Sequence, residues 1–419
     1  MHKKSVLRLN YRQTFLVGFG FFAVSLAWAV YNAFVPLLLE RWIASTTMIG
    51  LIMTIDNVFG LIFQPVFGAL SDRTRSPLGC RMPYILAGIP LCAALLALAP
   101  QMPGLASMMA VLVLFNFLMS VWRSQMVALM PDLTPSPLRN QANGVINLMG
   151  GVGTLVAFLV GGSLANSLGQ EAPFALAGGL MLASLALLLF FVREPAGVRT
   201  QGRPFLRLLP RSAKAQAERG SLAGLTRPGE RRSFLCLLLA IFFWFCGYNA
   251  IESFFTLYAK NVLGLEGGDA TMLLAFFSVT FIVVAIPAGY LANRFGRRRT
   301  IMVGLGGIIV LFGVLTFLQD LWVIRVLLLL GGCLWALINI NSLPMVVELA
   351  GGDRIGAFTG VYYFFSFAAS VLSPVLFGGI RDLLGSYEAM FPYAAVCMVL
   401  ALGCMALVRH GEAVAKEAA

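Results

Sequence analysis

The chain has 419 residues, of which 59% are hydrophobic and 11% charged, with a mean hydropathy of +0.87 and a formal net charge of +12. A soluble domain cannot hide that much apolar surface, because over half of its residues would have to avoid water. The composition therefore excludes the water-soluble classes and leaves a protein dissolved in a bilayer.

Twelve apolar stretches follow in chain order: 14–39, 46–70, 83–100, 104–129, 141–166, 173–192, 233–259, 270–292, 300–318, 321–347, 356–380 and 390–408. Each has about the 20 residues needed to cross a hydrocarbon core of about 30 Å. In lipid a backbone must satisfy its own hydrogen bonds, so each stretch is expected to be a helix. The first is too long for a secretory leader, lacks a small-residue cleavage site and carries Tyr31 and Asn32, so it is read as a spanning helix. Loops on one side hold only Arg41, Lys260 and Arg381, while most other basic residues fall on the opposite side. That asymmetry predicts a multi-pass protein of the cell membrane with both termini cytoplasmic. It also accounts for the net charge without any nucleic-acid partner.

One long polar break, 193–232, carries ten basic and three acidic side chains. It divides the chain into an N-terminal bundle (1–192), a basic cytoplasmic linker (193–232) and a C-terminal bundle (233–419), each bundle with six helices. The linker is read as solvated, with a middle part able to lie on anionic headgroups. The two bundles are similar in sequence. Trp28, Tyr31, Asn32 and Ala33 return as Trp244, Tyr248, Asn249 and Ala250; Asp132, Arg139 and Gly144 return as Glu348, Arg354 and Gly360. Such a repeat in a protein this apolar points to a transporter with its site between similar halves.

The loop after the second stretch runs Gly68, Asp72, Arg73, Gly79, Arg81; that after the eighth runs Gly289, Asn293, Arg294, Gly296, Arg297. Glycine lets a short loop turn tightly, and an Asp beside an Arg can pair across the loop or cap a helix end. This doubled pattern resembles the signature loop of the major facilitator superfamily, which implies an all-α integral membrane fold of twelve helices in two pseudo-symmetric six-helix bundles. A narrower resemblance covers about residues 56–150. Gly60, Gln64, Pro65, Gly68, Asp72 and Arg73, continuing to Arg81, Pro83 and Tyr84, look like the sucrose/proton symporter-like solute carrier family 45. Ala128, Pro131 and Asp132, followed by Arg139 and Asn143, do likewise. The related glycoside-pentoside-hexuronide cation symporters carry acids around an Asp-Pro on the second helix; Gly60 and Gln64 stand there in this chain, so their sodium site is not implied. Where plant sucrose carriers have an Arg before Ala-Leu-Leu this chain has Val127, with Arg123 one turn earlier. Drug antiporters of the superfamily have a Gly-Pro where this chain has Ala157 and Phe158, ahead of the Gly161-Gly162 pair.

Charges inside the membrane are costly and mark function by default. Asp56 falls within the second helix, Arg123 in the fourth and Glu252 in the seventh, on the face of Tyr248. Asp56 is the expected proton carrier and Arg123 its partner cation, whose planar fork also suits neighbouring hydroxyls on a sugar. A permanent structural Asp56–Arg123 pair is the competing reading. Tyr31, Asn32, Asn116, Asn147, Trp244, Tyr248, Asn249, Glu252, Asn339 and Tyr362 complete an inventory suited to a neutral polyol: amide hydrogen bonds and aromatic faces. Asn and Tyr between helices also serve as packing glue. Asp72, Arg73, Arg81, Asp132, Arg139, Asn293, Arg294, Glu348 and Arg354 are expected at a cytoplasmic gate, with Asp132 on Arg139 and Glu348 on Arg354.

No enzyme, metal or cofactor is expected. His2 and His410 cannot build an internal acid–base site, the seven cysteines form no CxxC pair, and the glycine-rich stretches lie inside spanning helices rather than between a strand and a helix. The function expected is proton-coupled symport of a small polar solute, a sugar or glycoside, by alternating access of a monomer. The alternative is a proton-coupled exporter of drugs or metabolites.

Overall fold

The structure is a computed structural model, describing residues 9–135, 138–192, 194, 228–350 and 355–410. Apart from Glu194 and residues 228–232, the linker lies outside the described residues, and so does Arg354. The described regular structure is helical: α1 Tyr11–Leu39, α2 Thr46–Met53, α3 Ile55–Ser71, α4 Met82–Leu98, α5 Leu105–Leu133, α6 Arg139–Val156, α7 Gly162–Leu168, α8 Ala172–Phe191, α9 Pro228–Asn261, α10 Gly267–Phe295, α11 Arg297–Phe317, α12 Leu321–Ala350, α13 Ile355–Leu384 and α14 Met390–Ala406. Twelve spans among the described residues are long and apolar enough to cross a membrane.

Two of those spans are interrupted where the sequence predicts continuous helices. Span 46–70 breaks at Thr54, whose amide turns back to Leu51 O (3.2 Å) and whose hydroxyl donates to the same oxygen (2.8 Å). Asp56 therefore falls in the first turn of α3 rather than at mid-helix. Span 141–166 carries a π-helical turn, Ala157–Gly161, between α6 and α7. Such widened turns leave the regular i to i−4 ladder and recur at functional positions.

The chain folds as two compact units. The first comprises Met1–Trp42, Ile55–Arg203 and Glu266–Ala275; the second comprises Ile43–Thr54, Pro204–Leu265 and Phe276–Ala419. In the first unit α1 packs on α6 and α8, and α5 packs on α3 and α4; in the second α9 packs on α13 and α14, and α11 on α12 and α14. Without a hydrophobic drive between helices in lipid, close approach comes from small residues. Gly332 in α12 shows why: an added Cβ would run into Phe277 O and the Thr280 hydroxyl of α10.

Candidate functional site

In the first unit, α1, α3 and α5 bring together the residues expected to carry coupling. The Tyr31 ring is fully buried, stacks on Phe115 (5.6 Å between centroids, 12°) and meets Trp28 edge-on (5.5 Å). Its hydroxyl oxygen accepts from Asn116 Nδ2 at 2.9 Å. Asp56 is half-buried, accepts from Asn57 Nδ2 at 2.8 Å, and lies within electrostatic reach of Arg123 and Tyr31. The Arg123 guanidinium carbon lies 6.0 Å from the centroid of the Trp28 ring, in the range of a cation–π contact. Two atoms beside Tyr31 have no hydrogen-bond partner although buried: Trp28 Nε1 and Asn116 Oδ1. A buried donor or acceptor left unpaired costs roughly 1–3 kcal/mol, so this cluster holds unused bonding capacity.

The second unit has a counterpart built from aromatic faces. Tyr248 of α9 stacks on Trp335 of α12, with centroids 4.4 Å apart and rings 4° from parallel. Phe245 meets Trp335 edge-on at 5.8 Å and Tyr362 at 6.4 Å. The hydroxyls of Tyr362 and Ser342 are 3.0 Å apart. Glu252 is half-buried and within electrostatic reach of Tyr248. Trp244 is fully buried, and its Nε1, at the repeat position of Trp28 Nε1, is likewise unpartnered.

Other expected members stand apart. Asn147 is exposed on α6. Asn249 spends its amide on its own helix, donating to Phe245 O at 2.7 Å. Asn32 and Asn339 are half-buried. Trp28, Asn57, Phe115, Trp335 and Ser342 were not anticipated as site members. Trp335, Asn339 and Ser342 follow the i, i+4, i+7 spacing of one helix face, which is the signal that would have found them.

At the ends of α3, α4 and α5, one arginine gathers the charges. Arg81 is buried; its Nη2 lies 2.5 Å from Asp72 and its Nε donates to Asp132 at 3.0 Å. Its Nη1 donates to the Ser71 hydroxyl, to Gly68 O (3.3 Å) and to Gln125 Oε1 (3.4 Å). Its backbone N–H donates to the Glu194 carboxylate at 2.9 Å. Gly79, at φ +106°, permits this approach, since a side chain there would strike Glu194. Burial pushes Glu194 above the usual carboxylate range, with the Arg81 backbone N–H opposing. For Arg81 burial works downward, but the hydrogen bond to Asp132 and the charge of Asp72 outweigh it and raise the guanidinium further.

The partner of Asp132 is thus Arg81 and not Arg139. Arg139 instead donates to the backbone oxygens of Thr134 (3.2 Å) and Pro131 (3.0 Å), which are freed where α5 ends. In the second unit Glu348 pairs with Arg297 at 2.6 Å; the expected partner Arg354 lies outside the described residues. Arg81 and Arg297 are repeat-related, as are Asp132 and Glu348, so both units use the same pairing. Arg73, Asn293 and Arg294 are exposed, and Arg294 lies over the Phe295 ring at 5.4 Å.

Comparison with known proteins agrees with this architecture. The sequence profile of the Major Facilitator Superfamily matches residues 17–374. A maltose permease of Geobacillus stearothermophilus is 26% identical over 420 residues, covering 99% of this chain and 97% of the permease. The multidrug resistance protein MdtG of Salmonella choleraesuis is 24% identical, covering 77% and 78% of the two chains. Among solved structures, the nucleoside transporter NupG superposes with a TM-score of 0.74 at 13% identity, over 95% of this chain and all of that one. That last likeness speaks to the fold alone.

Proposed function

The chain belongs to the major facilitator superfamily and is a multi-pass membrane transporter of a small molecule, and from that premise we propose that it moves a sugar or glycoside by proton-coupled symport. The observation that carries the proposal is the convergence of Asp56, Arg123, Tyr31, Asn116 and Trp28 in one unit. A titratable carboxylate, a bidentate cation, an aromatic face, and an unpaired donor and acceptor suit a ligand whose hydroxyls both give and take hydrogen bonds. The end-to-end likeness to a maltose permease supports the same solute class.

In the proposed cycle Asp56 takes a proton from outside and its hold on Arg123 relaxes. The guanidinium then engages a hydroxyl pair of the solute. Exposure of the site switches to the cytoplasm when the Arg81 and Arg297 clusters part, and solute and proton leave. The aromatic stack of the second unit offers a face for sugar C–H groups. Trp335→Phe, which keeps the stack on Tyr248 but shrinks the face, is therefore expected to raise the half-saturation concentration about three- to tenfold, on the order of 1 kcal/mol. The maximal rate is expected to change little; a lowered rate at unchanged half-saturation would place Trp335 outside solute contact.

The deciding experiment is uptake of labelled maltose, sucrose and hexoses into proteoliposomes with a proton gradient imposed, collapsed or replaced by sodium. Uptake that follows the proton gradient supports the proposal; no uptake of any sugar under any gradient overturns the solute class. A second reading, proton-coupled export of drugs, draws on the similarity to MdtG. It predicts proton release from loaded vesicles when a lipophilic cation is added.

A further inference from the structure

Polar contacts also concentrate at two seams that the coupling residues do not use. An offset of 216 positions relates Trp28 to Trp244, Arg81 to Arg297 and Asp132 to Glu348. The same offset relates Gly162 to Gly378 and Asn166 to Asp382. These four residues sit at the seams.

In the second unit the start of α2 rests on α13. The Asp382 carboxylate accepts the Thr46 N–H (2.8 Å), the Thr47 N–H (3.0 Å), the Ser45 hydroxyl (2.7 Å) and the Thr47 hydroxyl (2.7 Å). It thereby takes up backbone donors that a helix start leaves unpaired, at the positive end of the helix dipole. One turn earlier on the same face, a Cβ on Gly378 would lie 2.7 Å from Thr46 O. One turn before that, Pro374 O abuts Gly50. In the first unit the first turns of α10 rest on α7 in the same manner. Asn166 Nδ2 donates to Asp269 Oδ1 at 2.7 Å, and a Cβ on Gly162 would lie 2.7 Å from Gly268 O. In both seams a glycine admits the neighbouring backbone, and a polar residue four positions on clasps the start of the neighbouring helix.

The held segments share another property. Each is the first part of a span whose remainder belongs to the other compact unit: α2 continues as α3 past Thr54, and α10 passes between units after Ala275. We infer that these seams are the paired latches of the outer gate, with Asp382 the stronger clasp and Thr54 the joint about which α2 swings. "Outer" here is the side that the basic-residue distribution assigns to the outside. The inference rests on the transporter reading and is independent of which solute is carried. A carboxylate holding two backbone N–H groups and two hydroxyls is a stronger clasp than one amide on one carboxylate, so the α2 seam controls opening.

The test uses labelling, which needs no solute. Thr46, Ile49, Gly50 and Met53 form the buried face of α2, the face that meets α13. Met53→Cys, in the full chain in proteoliposomes, would be treated with an impermeant maleimide from outside; none of the seven native cysteines lies on α2. Adding Asp382→Ala is expected to speed labelling at least fivefold. Where the alanine variant does not fold, Asp382→Asn is expected to act in the same direction. Conversely, Thr47→Cys with Gly379→Cys places sulfurs within disulfide reach, since a Cβ at 379 would lie 3.9 Å from the Thr47 hydroxyl. Oxidising that pair with copper phenanthroline is expected to suppress Met53→Cys labelling until reductant is added. Labelling unchanged by Asp382 substitution in a folded protein, or unchanged by the cross-link, overturns the inference.

Discussion

Asp56→Asn is expected to reduce gradient-driven uptake at least tenfold while leaving solute exchange across a vesicle without a gradient. Asparagine matches the carboxylate in size and keeps an oxygen for the Asn57 amide, which donates at 2.8 Å in the wild type. What it loses is the ability to alternate between charged and neutral forms, and with it the change in attraction to Arg123 that the proposed cycle uses. A group that never carries a proton cannot make solute flux depend on the proton gradient, yet a permanently neutral side chain still lets the loaded protein return. Initial rates of uptake under an imposed gradient, beside counterflow of labelled for unlabelled solute, separate the two effects. Full gradient-driven uptake in the variant would remove Asp56 from coupling and move attention to Glu252, the carboxylate near Tyr248 in the second unit. Loss of exchange as well would assign Asp56 to solute binding.

Arg81→Met is expected to be among the most destabilising single changes in the first unit. Methionine keeps the length of the side chain but leaves Asp132 without its 3.0 Å partner and the Ser71 hydroxyl and Gln125 amide without theirs. Asp132 is mostly buried, and breaking such a pair by removing one member costs more than the pair contributes, on the order of 3 kcal/mol. Asp72, nearly half exposed, is expected to add little, because water solvates it once released. The midpoint of thermal unfolding in detergent measures the effect. Asp72→Asn serves as the contrast, expected to shift that midpoint only slightly. Equal losses from the two variants would show that the cluster depends on the exposed pair rather than on the buried one.

The helical spans and the doubled loop were legible because hydropathy and glycine spacing are local. Pairing was not. Asp132 precedes Arg139 by seven positions, which invited a pair within the turn between α5 and α6; Arg81, 51 positions away, comes closer because α4 packs on α5. The break at Thr54 escaped notice since Ile52, Met53, Thr54 and Ile55 carry no helix-breaking residue; packing of α2 on α13 is what sets it. Of the candidate site, Tyr31, Asn116, Asp56 and Arg123 were found from polarity at membrane depth. Trp335 was missed because a tryptophan in an apolar helix reads as core until the ring stacked on it is known.

The interruption at Thr54 has a consequence for hydration. A backbone whose i to i−4 ladder lapses inside hydrocarbon persists only where protein or water answers the released groups. Beside half-buried Asp56, that lapse gives water a foothold and makes the start of α3 the wet end of an otherwise dry span. Amide deuterons at residues 55–57 should therefore wash out sooner than those at comparable depth on α8, whose ladder runs unbroken from Ala172 to Phe191. The protein would take its proton up from that internal water, and the rate of isotope loss there would report how often the entry is filled.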